Sequence, residues 1–388
     1  MKSGLQSKVF DDFASTAGGI SNPSVEEWKK GGGKVLGFTC SFVPEELIVA
    51  AGLLPFRIRA TGSDCADAAN DYFVAANICS LIRHTFDQVL AGEYEFLDGA
   101  VIGGGCDANR HIFDNWQKST VAPPFLDTIF LPHASGEAMA VEFRGQLAGL
   151  KSRLEKRFGV EITDGKLRDA IRLCNETRAL QRELYALRKA PNPPISGGET
   201  VAVIVAGSSM PKEAYNQKLR TLLGELQGVT PPERKYAARI MIVGPGHDDT
   251  SMCDVVEDLG AIVAGDLTCF GGKVIFGSVQ EDGPDPLQAL ADYQVLVRPF
   301  CPKNLGAHPH VRKELLDQVR DLRVDGVIGQ SFMCCNMWGG ELYILSKELK
   351  EAGVPMLRLE REYVSGSTGQ LQTRVQAFLE TIAGGASC

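Results

Sequence analysis

The stretch FLDGAVIGGGCDANRHIFDNW, residues 96–116, contains the pattern that recurs along the chain and indicates its fold. An apolar run, predicted as a strand from Phe96 to Ile102, leads through three glycines to Cys106, and a helical segment begins near Asp107. Short apolar runs bounded by glycine that alternate with amphipathic helical segments are typical of open, mostly parallel sheets. We therefore predict an α/β protein.

The same strand and helix pattern occurs on both sides of a helical middle segment. Predicted strands lie at 34–38, 96–102 and 128–131, and then at 239–243, 261–264, 294–298, 326–329 and 355–359. Between about 140 and 190 the chain has the pattern of long charged helices, which end at the breaker PNPPISGG. Because 388 residues exceed one ordinary core, we predict two α/β domains, 1–150 and 196–388, joined by bridging helices at 151–195.

Composition narrows the possible partners. The chain is 44% hydrophobic and 23% charged with a net charge of −8, which argues against a nucleic-acid backbone or an anionic membrane as the main partner. The first residues, MKSGLQSKVFDDFAS, lack an apolar signal segment, and no apolar run is long enough to span a bilayer. We expect a cytoplasmic protein that acts on small molecules or proteins.

The positions of the cysteines suggest a metal site. Disulfides are rare in the cytoplasm, so 11 cysteines need another explanation. Ligand-binding residues of open α/β sheets lie just beyond the carboxyl ends of the strands, and helix N-termini that follow there stabilise thiolates and anionic sulfide clusters. Five cysteines follow predicted strands and a sixth lies on a predicted helix: Cys40, Cys106, Cys269, Cys301 and Cys335, then Cys79.

Alternatives to an iron–sulfur site remain open at this point. A single cysteine at a strand end is commonly a buried apolar residue, and zinc usually shows close CxxC-type pairs, which this chain lacks. Widely spaced single thiolates favour an iron–sulfur cluster. Cys334 is undecided because it would face the other side of a strand from Cys335. The remaining cysteines are interpreted as structural: Cys65, Cys174, Cys253 and Cys388.

Candidate groups for acid–base and nucleotide chemistry are few. No phosphate-binding loop is present, since GGGK at 31–34 lacks the spacing and the hydroxyl residue, so we do not expect the chain to hydrolyse ATP. Glu46, together with its neighbour Glu45, and His308 are candidate proton donors. For each a plainer interpretation stays open, as a first-turn helix acid and as a solvated loop histidine.

Five segments together resemble the 2-hydroxyacyl-CoA dehydratase and benzoyl-CoA reductase superfamily. They are GFTCSFVPEELIVAAGLLPFRI, NICSLIRHTFD, FLDGAVIGGGCDANRHIFDNW, VDGVIGQSFMCCNMWGGE and GVPMLRLEREYVSGSTGQLQTRVQAFLE. The resemblance implies two Rossmann-like domains around an oxygen-sensitive four-iron cluster. It also implies that a separate ATP-hydrolysing iron–sulfur activator supplies the electrons.

The resemblance also implies which cysteines bind the cluster. The family's three ligands match Cys79, Cys106 and Cys335, although the family usually has aspartate where Asn336 stands. A branch with a double-cubane cluster uses six cysteines, which would add Cys40, Cys269 and Cys301. These ligands predict an 8Fe-9S double cubane in a homodimeric reductase of small molecules. The alternatives are a single 4Fe-4S cluster acting on an acyl-CoA thioester in a heterodimer with a homologous second subunit, or a non-catalytic partner subunit.

Overall fold

Two parallel four-stranded sheets form the framework of the chain. The computed structural model describes residues 6–73, 77–229, 231, 233, 235–298, 301–364 and 368–384. The first sheet has the order β2-β1-β3-β4 and the second the order β6-β5-β7-β8. The strands are β1 (Val35–Phe38), β2 (Leu54–Arg57), β3 (Gly99–Gly104), β4 (Leu126–Phe130), β5 (Arg239–Val243), β6 (Ile262–Leu267), β7 (Gly326–Phe332) and β8 (Met356–Arg361). This architecture confirms the α/β prediction with two Rossmann-like units.

Helices cover both faces of each sheet, and the central strands β1, β3, β5 and β7 are buried almost throughout. Those in the first half are α1 (Lys8–Ala17), α2 (Pro23–Lys30), α3 (Glu45–Ala50), α4 (Ser80–Leu90), α5 (Asp107–Lys118), α6 (Glu137–Phe158) and α7 (Asp164–Leu187). Those in the second are α8 (Gly197–Gly207), α9 (Lys212–Gln227), α10 (Ser251–Asp258), α11 (Pro286–Asp292), α12 (His308–Asp321), α13 (Asn336–Glu351) and α14 (Thr368–Ala383).

The two cores exchange segments of chain. Phe13 of α1 packs edge-on against Tyr215 of α9, with ring centroids 5.4 Å apart, and belongs to the core of the second sheet. Conversely, Leu290 of α11 is buried with residues of α6 and α7 in a core of the first sheet. The long helices α6 and α7 thus pack onto the first sheet, while α7 also contributes Leu184 to the second core.

Two strand predictions differ from the structure. The predicted strand 294–298 is wrong, because Tyr293–Val297 is a π-helical turn that continues α11 directly. Periodicity alone does not distinguish a short apolar run in a strand from one in a buried helix. The strand β2, Leu54–Arg57, was missed because it contains Pro55. Its position at the edge of the first sheet explains how a residue without an N–H group is tolerated there.

No helix among the described residues is both long and apolar enough to cross a membrane.

Candidate functional site

A cavity lies between the carboxyl ends of the two sheets. Its volume is about 980 Å³, counting the part that is open to solvent. All six cysteines proposed from the sequence line it: Cys40, Cys79, Cys106, Cys269, Cys301 and Cys335. We call it the cysteine cavity. Cys335 lines the cavity and its neighbour Cys334 does not. Cys334 has a left-handed backbone conformation, with φ of 66°.

Three of the six cysteines cap helices. Cys79, Cys106 and Cys335 are the N-cap residues of α4, α5 and α13. The sequence had suggested that Cys79 lies within a helix, whereas α4 begins only at Ser80. Each thiol therefore lies at the positive end of a helix dipole, where a thiolate is stabilised.

The other three cysteines are held by loops. Cys40 and Cys269 follow β1 and β6, as predicted, but Cys301 follows the π-helical turn and the residues 299–300, which lie outside the described residues. Gly103 lies directly against Cys40, since a Cβ atom on this glycine would be 2.5 Å from the Cys40 Cβ. The sheet and its glycine therefore fix the position of Cys40.

Burial makes the thiols poor acids in the absence of a cation. It raises the pKa of Cys79 well above its usual value, that of Cys106 to about 12 and that of Cys335 to about 11. Neighbouring thiolates, such as Cys335 beside Cys79, add to the rise, while the backbone N–H three residues after each cysteine opposes it. Burial also raises the pKa of Cys269. Thiols in this state bind a cation with release of protons.

Basic residues and apolar side chains form the rest of the cavity wall. Its described lining residues include no Asp, Glu or His and five basic residues: Arg57, Arg59, Lys273, Arg298 and Lys303. The Arg59 guanidinium donates to the Thr16 and Gly19 carbonyls, which do not line the cavity, so four of the cations face it. Within the described part of the chain none of the five has a carboxylate within ion-pair distance. Buried charges of one sign are costly without a counter-charge, so these cations favour an anion in the cavity.

Neutral acceptors and aromatic rings hold these cations in place. Arg57 donates to the Cys269 carbonyl, and its guanidinium carbon lies 3.7 Å from the centroid of the Phe270 ring. Lys303 Nζ donates to the Pro132 carbonyl at 2.8 Å. Lys273 differs, because it is only 3% exposed and its Nζ has no hydrogen-bond partner among the described residues.

The donor set fits an anionic iron–sulfur cluster better than a single metal ion. No group of three or more His, Cys, Asp or Glu side chains in the described ranges is close enough to hold one ion. Six thiols instead surround a shared space, beside cations and helix N-termini. Thiolate ligands, donors to sulfur and a wall that offsets negative charge are the features that proteins use to bind and tune such clusters.

The two predicted proton donors lie outside the cysteine cavity. Glu46 is 2% exposed and its Oε1 lies 2.7 Å from Nη1 of Arg178, in an adjoining chamber. His308 begins α12 and is hydrogen-bonded to Glu341 at 2.9 Å and Glu348 at 3.0 Å. Its position therefore gives no support to a catalytic role, and the role of either residue stays a prediction.

Sequence reasoning missed the cationic wall. The sequence from Arg57 to Arg298 spans more than 240 residues, and no local pattern marks these two residues and Lys273 as neighbours. Two of them could have been found by their closeness in sequence to candidate ligands, since Lys273 lies four residues after Cys269 and Arg298 three before Cys301.

Comparison with known proteins identifies a family model and several relatives that cover most of the chain. Residues 40–382 match the family model described as "2-hydroxyglutaryl-CoA dehydratase, D-component". The chain is 25% identical to a benzoyl-CoA reductase subunit from Thauera aromatica, over 96% of each chain. It is 24% identical to the beta subunit of (R)-2-hydroxyglutaryl-CoA dehydratase from Acidaminococcus fermentans, over 92% of this chain and 94% of that one. It is 23% identical to the beta subunit of (R)-phenyllactyl-CoA dehydratase from Clostridium sporogenes, over 97% and 99%.

Proposed function

Because the chain belongs to the 2-hydroxyglutaryl-CoA dehydratase D-component family, we propose that it is the iron–sulfur catalytic component of an ATP-dependent two-component reductase. A separate ATP-hydrolysing iron–sulfur activator supplies its electrons, and a second copy of the chain completes a homodimer. The cluster, when bound, accepts and donates electrons one at a time at low potential. Its ligands are Cys40, Cys79, Cys106, Cys269, Cys301 and Cys335.

The observation that carries this proposal is the charge of the cysteine cavity. Four cations face it, and no carboxylate is among its described lining residues. Two bridged cubanes on six thiolates have a net formal charge of about −4, whereas one four-iron cluster on three thiolates has about −1. The larger cluster offsets the four cations. The smaller one would leave about three buried positive charges, against which the chain offers the Glu45 carboxylate beside Arg57.

The chain's own residues have separable roles in this reaction. The N-cap cysteines Cys79, Cys106 and Cys335 hold sulfur at helix N-termini. The wall cations stabilise negative charge in the cavity, and apolar side chains such as Phe332 and Trp338 limit water in it. Low water content strengthens every charge interaction in the cavity.

A second candidate function is a subunit with a single 4Fe-4S cluster on Cys79, Cys106 and Cys335 that acts on an acyl-CoA thioester beside a homologous subunit. The relatives from Acidaminococcus fermentans and Thauera aromatica, which are named as subunits of acyl-CoA enzymes, favour this alternative. A non-catalytic partner subunit is the third. It would be supported if the isolated chain were inactive with its activator and a homologous subunit restored turnover.

Iron analysis of anaerobically purified protein separates the first two. We expect about eight irons per chain for the double cubane and about four for the single cluster. The variant Cys269→Ala should lose iron, and Cys65→Ala is the matched control because Cys65 is exposed and does not line the cavity. A full iron complement in Cys269→Ala would reject the six-cysteine site.

A further inference from the structure

A second chamber adjoins the cysteine cavity. It has a volume of about 660 Å³, counting the part open to solvent, and its charged lining consists of Glu45, Glu46, Arg57, Arg178, Lys212 and Arg298. We call it the side chamber. Ser41, Arg57, Phe270 and Arg298 line both spaces and therefore form the wall between them. Groups in the side chamber are thus separated from the cysteines by a single layer of side chains.

The cysteine cavity has no ordinary proton donor of its own. Its described lining residues include no carboxylate and no imidazole, and its two lysines belong to the cationic wall. A reductase must nevertheless receive protons together with electrons, because each reduced bond of the substrate is completed by protons. Two carboxylates, Glu45 and Glu46, line the adjoining side chamber.

These two carboxylates differ in their freedom to exchange protons. Glu46 is 2% exposed and paired with Arg178, whose Nη2 also donates to Asn175 Oδ1 at 2.6 Å. Glu46 is therefore held as a buried structural ion. The side chain of Glu45 is 28% exposed, and its ion-pair partner is Lys212, which is 5% exposed. Glu45 alone of the pair both reaches solvent and faces the chamber.

Several charged and titratable groups face Glu45. Arg57 on β2 and Lys212 on α9 lie near its side chain, and Cys174 on α7 and Tyr215 on α9 are further titratable groups near it. Among the side chains between the two chambers, Ser41 offers a path for protons from the side chamber to the cysteine cavity. Its hydroxyl accepts a hydrogen bond from Arg298 Nη2 at 2.8 Å. A hydroxyl both donates and accepts hydrogen bonds, and a polar chamber of this size has room for the waters that would complete a chain.

We propose that the side chamber delivers protons to the cysteine cavity, with Glu45 as the residue that loads them from solvent and Lys212 as the residue that positions it. The inference rests on the proposed reductase function. In each step the Glu45 carboxyl releases a proton toward the wall and becomes a carboxylate, and solvent returns a proton to it. The electron arrives separately from the iron–sulfur activator.

The test measures proton uptake when the anaerobic holoprotein is reduced chemically in weak buffer containing an indicator dye. Addition of an electron to a buried site of low dielectric favours uptake of a compensating proton. We expect Glu45→Gln to take up protons at least about tenfold more slowly than wild type, with unchanged iron content and final extent of reduction. Glu45→Asp, which keeps a carboxyl group, should recover most of the rate.

A conservative variant distinguishes this role from a structural one. Lys212→Met removes the ion-pair partner of Glu45 and should slow proton uptake with unchanged iron content, whereas Lys212→Arg, which keeps a cation there, should recover most of the rate. Glu26→Gln on α2 is the control, because Glu26 is exposed and pairs with Lys30 at the surface. Wild-type uptake rates in Glu45→Gln, or no proton uptake by the wild type on reduction, would overturn the proposal. A wild-type protein without iron would instead overturn the reductase function and this inference together, so iron analysis separates the two failures.

Discussion

Replacement of Lys273 by methionine is expected to stabilise the iron-free protein and to destabilise the iron-loaded one. Lys273 Nζ is buried without a hydrogen-bond partner among the described residues, and lies 5.0 Å from the centroid of the Trp338 ring. An uncompensated buried charge costs about 3–4 kcal/mol. The contact with the indole offsets about 2 kcal/mol of this. Methionine has a similar volume and no charge, so the iron-free variant should gain about 1–2 kcal/mol.

The sign reverses when the cavity contains an anion. Two unit charges about 6 Å apart interact by about 3 kcal/mol at an effective dielectric constant of about 20. Lys273→Met removes this attraction. The free energy lost in this way is larger than the burial cost that the substitution also removes. The iron-loaded variant should therefore be about 1–2 kcal/mol less stable than the loaded wild type.

Urea unfolding under argon, followed by far-ultraviolet circular dichroism, measures both forms. The midpoint should rise for iron-free Lys273→Met and fall for the loaded variant. Lys313→Met is the matched control, because Lys313 is exposed and paired with Asp317 at the surface, and it should change either form by less than about 0.5 kcal/mol. A shift of the same sign in both forms would refute the assignment of Lys273 to the charge balance of the cavity.

Three further predictions concern the residues around the cavity. The pKa values of Cys106 and Cys335 are higher in the folded protein than in the unfolded chain. The two thiols therefore stabilise the iron-free fold below about pH 9, and this stabilisation is lost as the pH rises toward 11–12. In urea titrations across this interval, the iron-free Cys106→Ser variant should lose less stability than wild type. In Gly103→Ala the new Cβ would collide with Cys40, so iron per chain should fall, whereas Gly145→Ala, at a helix position with open space, should retain it; equal iron in both would show that Cys40 is not a ligand. Burial opposes protonation of His308, but the hydrogen bonds that its ring donates to the carboxylates of Glu341 and Glu348 raise its pKa overall. His308 therefore stabilises the fold fully below about pH 6, and this contribution is lost as the pH rises through its folded-state pKa. The variant His308→Gln should show a weaker dependence of stability on pH with unchanged iron content. A loss of iron would instead place the histidine in the site.

The sequence predicted the α/β class and the strand-end positions of Cys40, Cys106, Cys269 and Cys335, because strand and turn patterns are local. It did not predict that 294–298 continues a helix, since packing against the first core decides between the two conformations. It also favoured Glu46 over Glu45 as proton donor. Adjacent residues on one helix have the same local pattern, and only the distant Arg178 and Lys212 distinguish their environments.

By itself the sequence determined the βα units and supplied thiols beyond the strands, because strand ends and helix starts depend on residues close together in the chain. Tertiary structure alone decided that six thiols share one cavity, that Cys335 rather than Cys334 faces it, and that four cations face it without a carboxylate among the described lining residues. The burial of each thiol and the net charge of the cavity depend on residues that are distant in sequence. These properties arise only when folding brings the ends of the two sheets together.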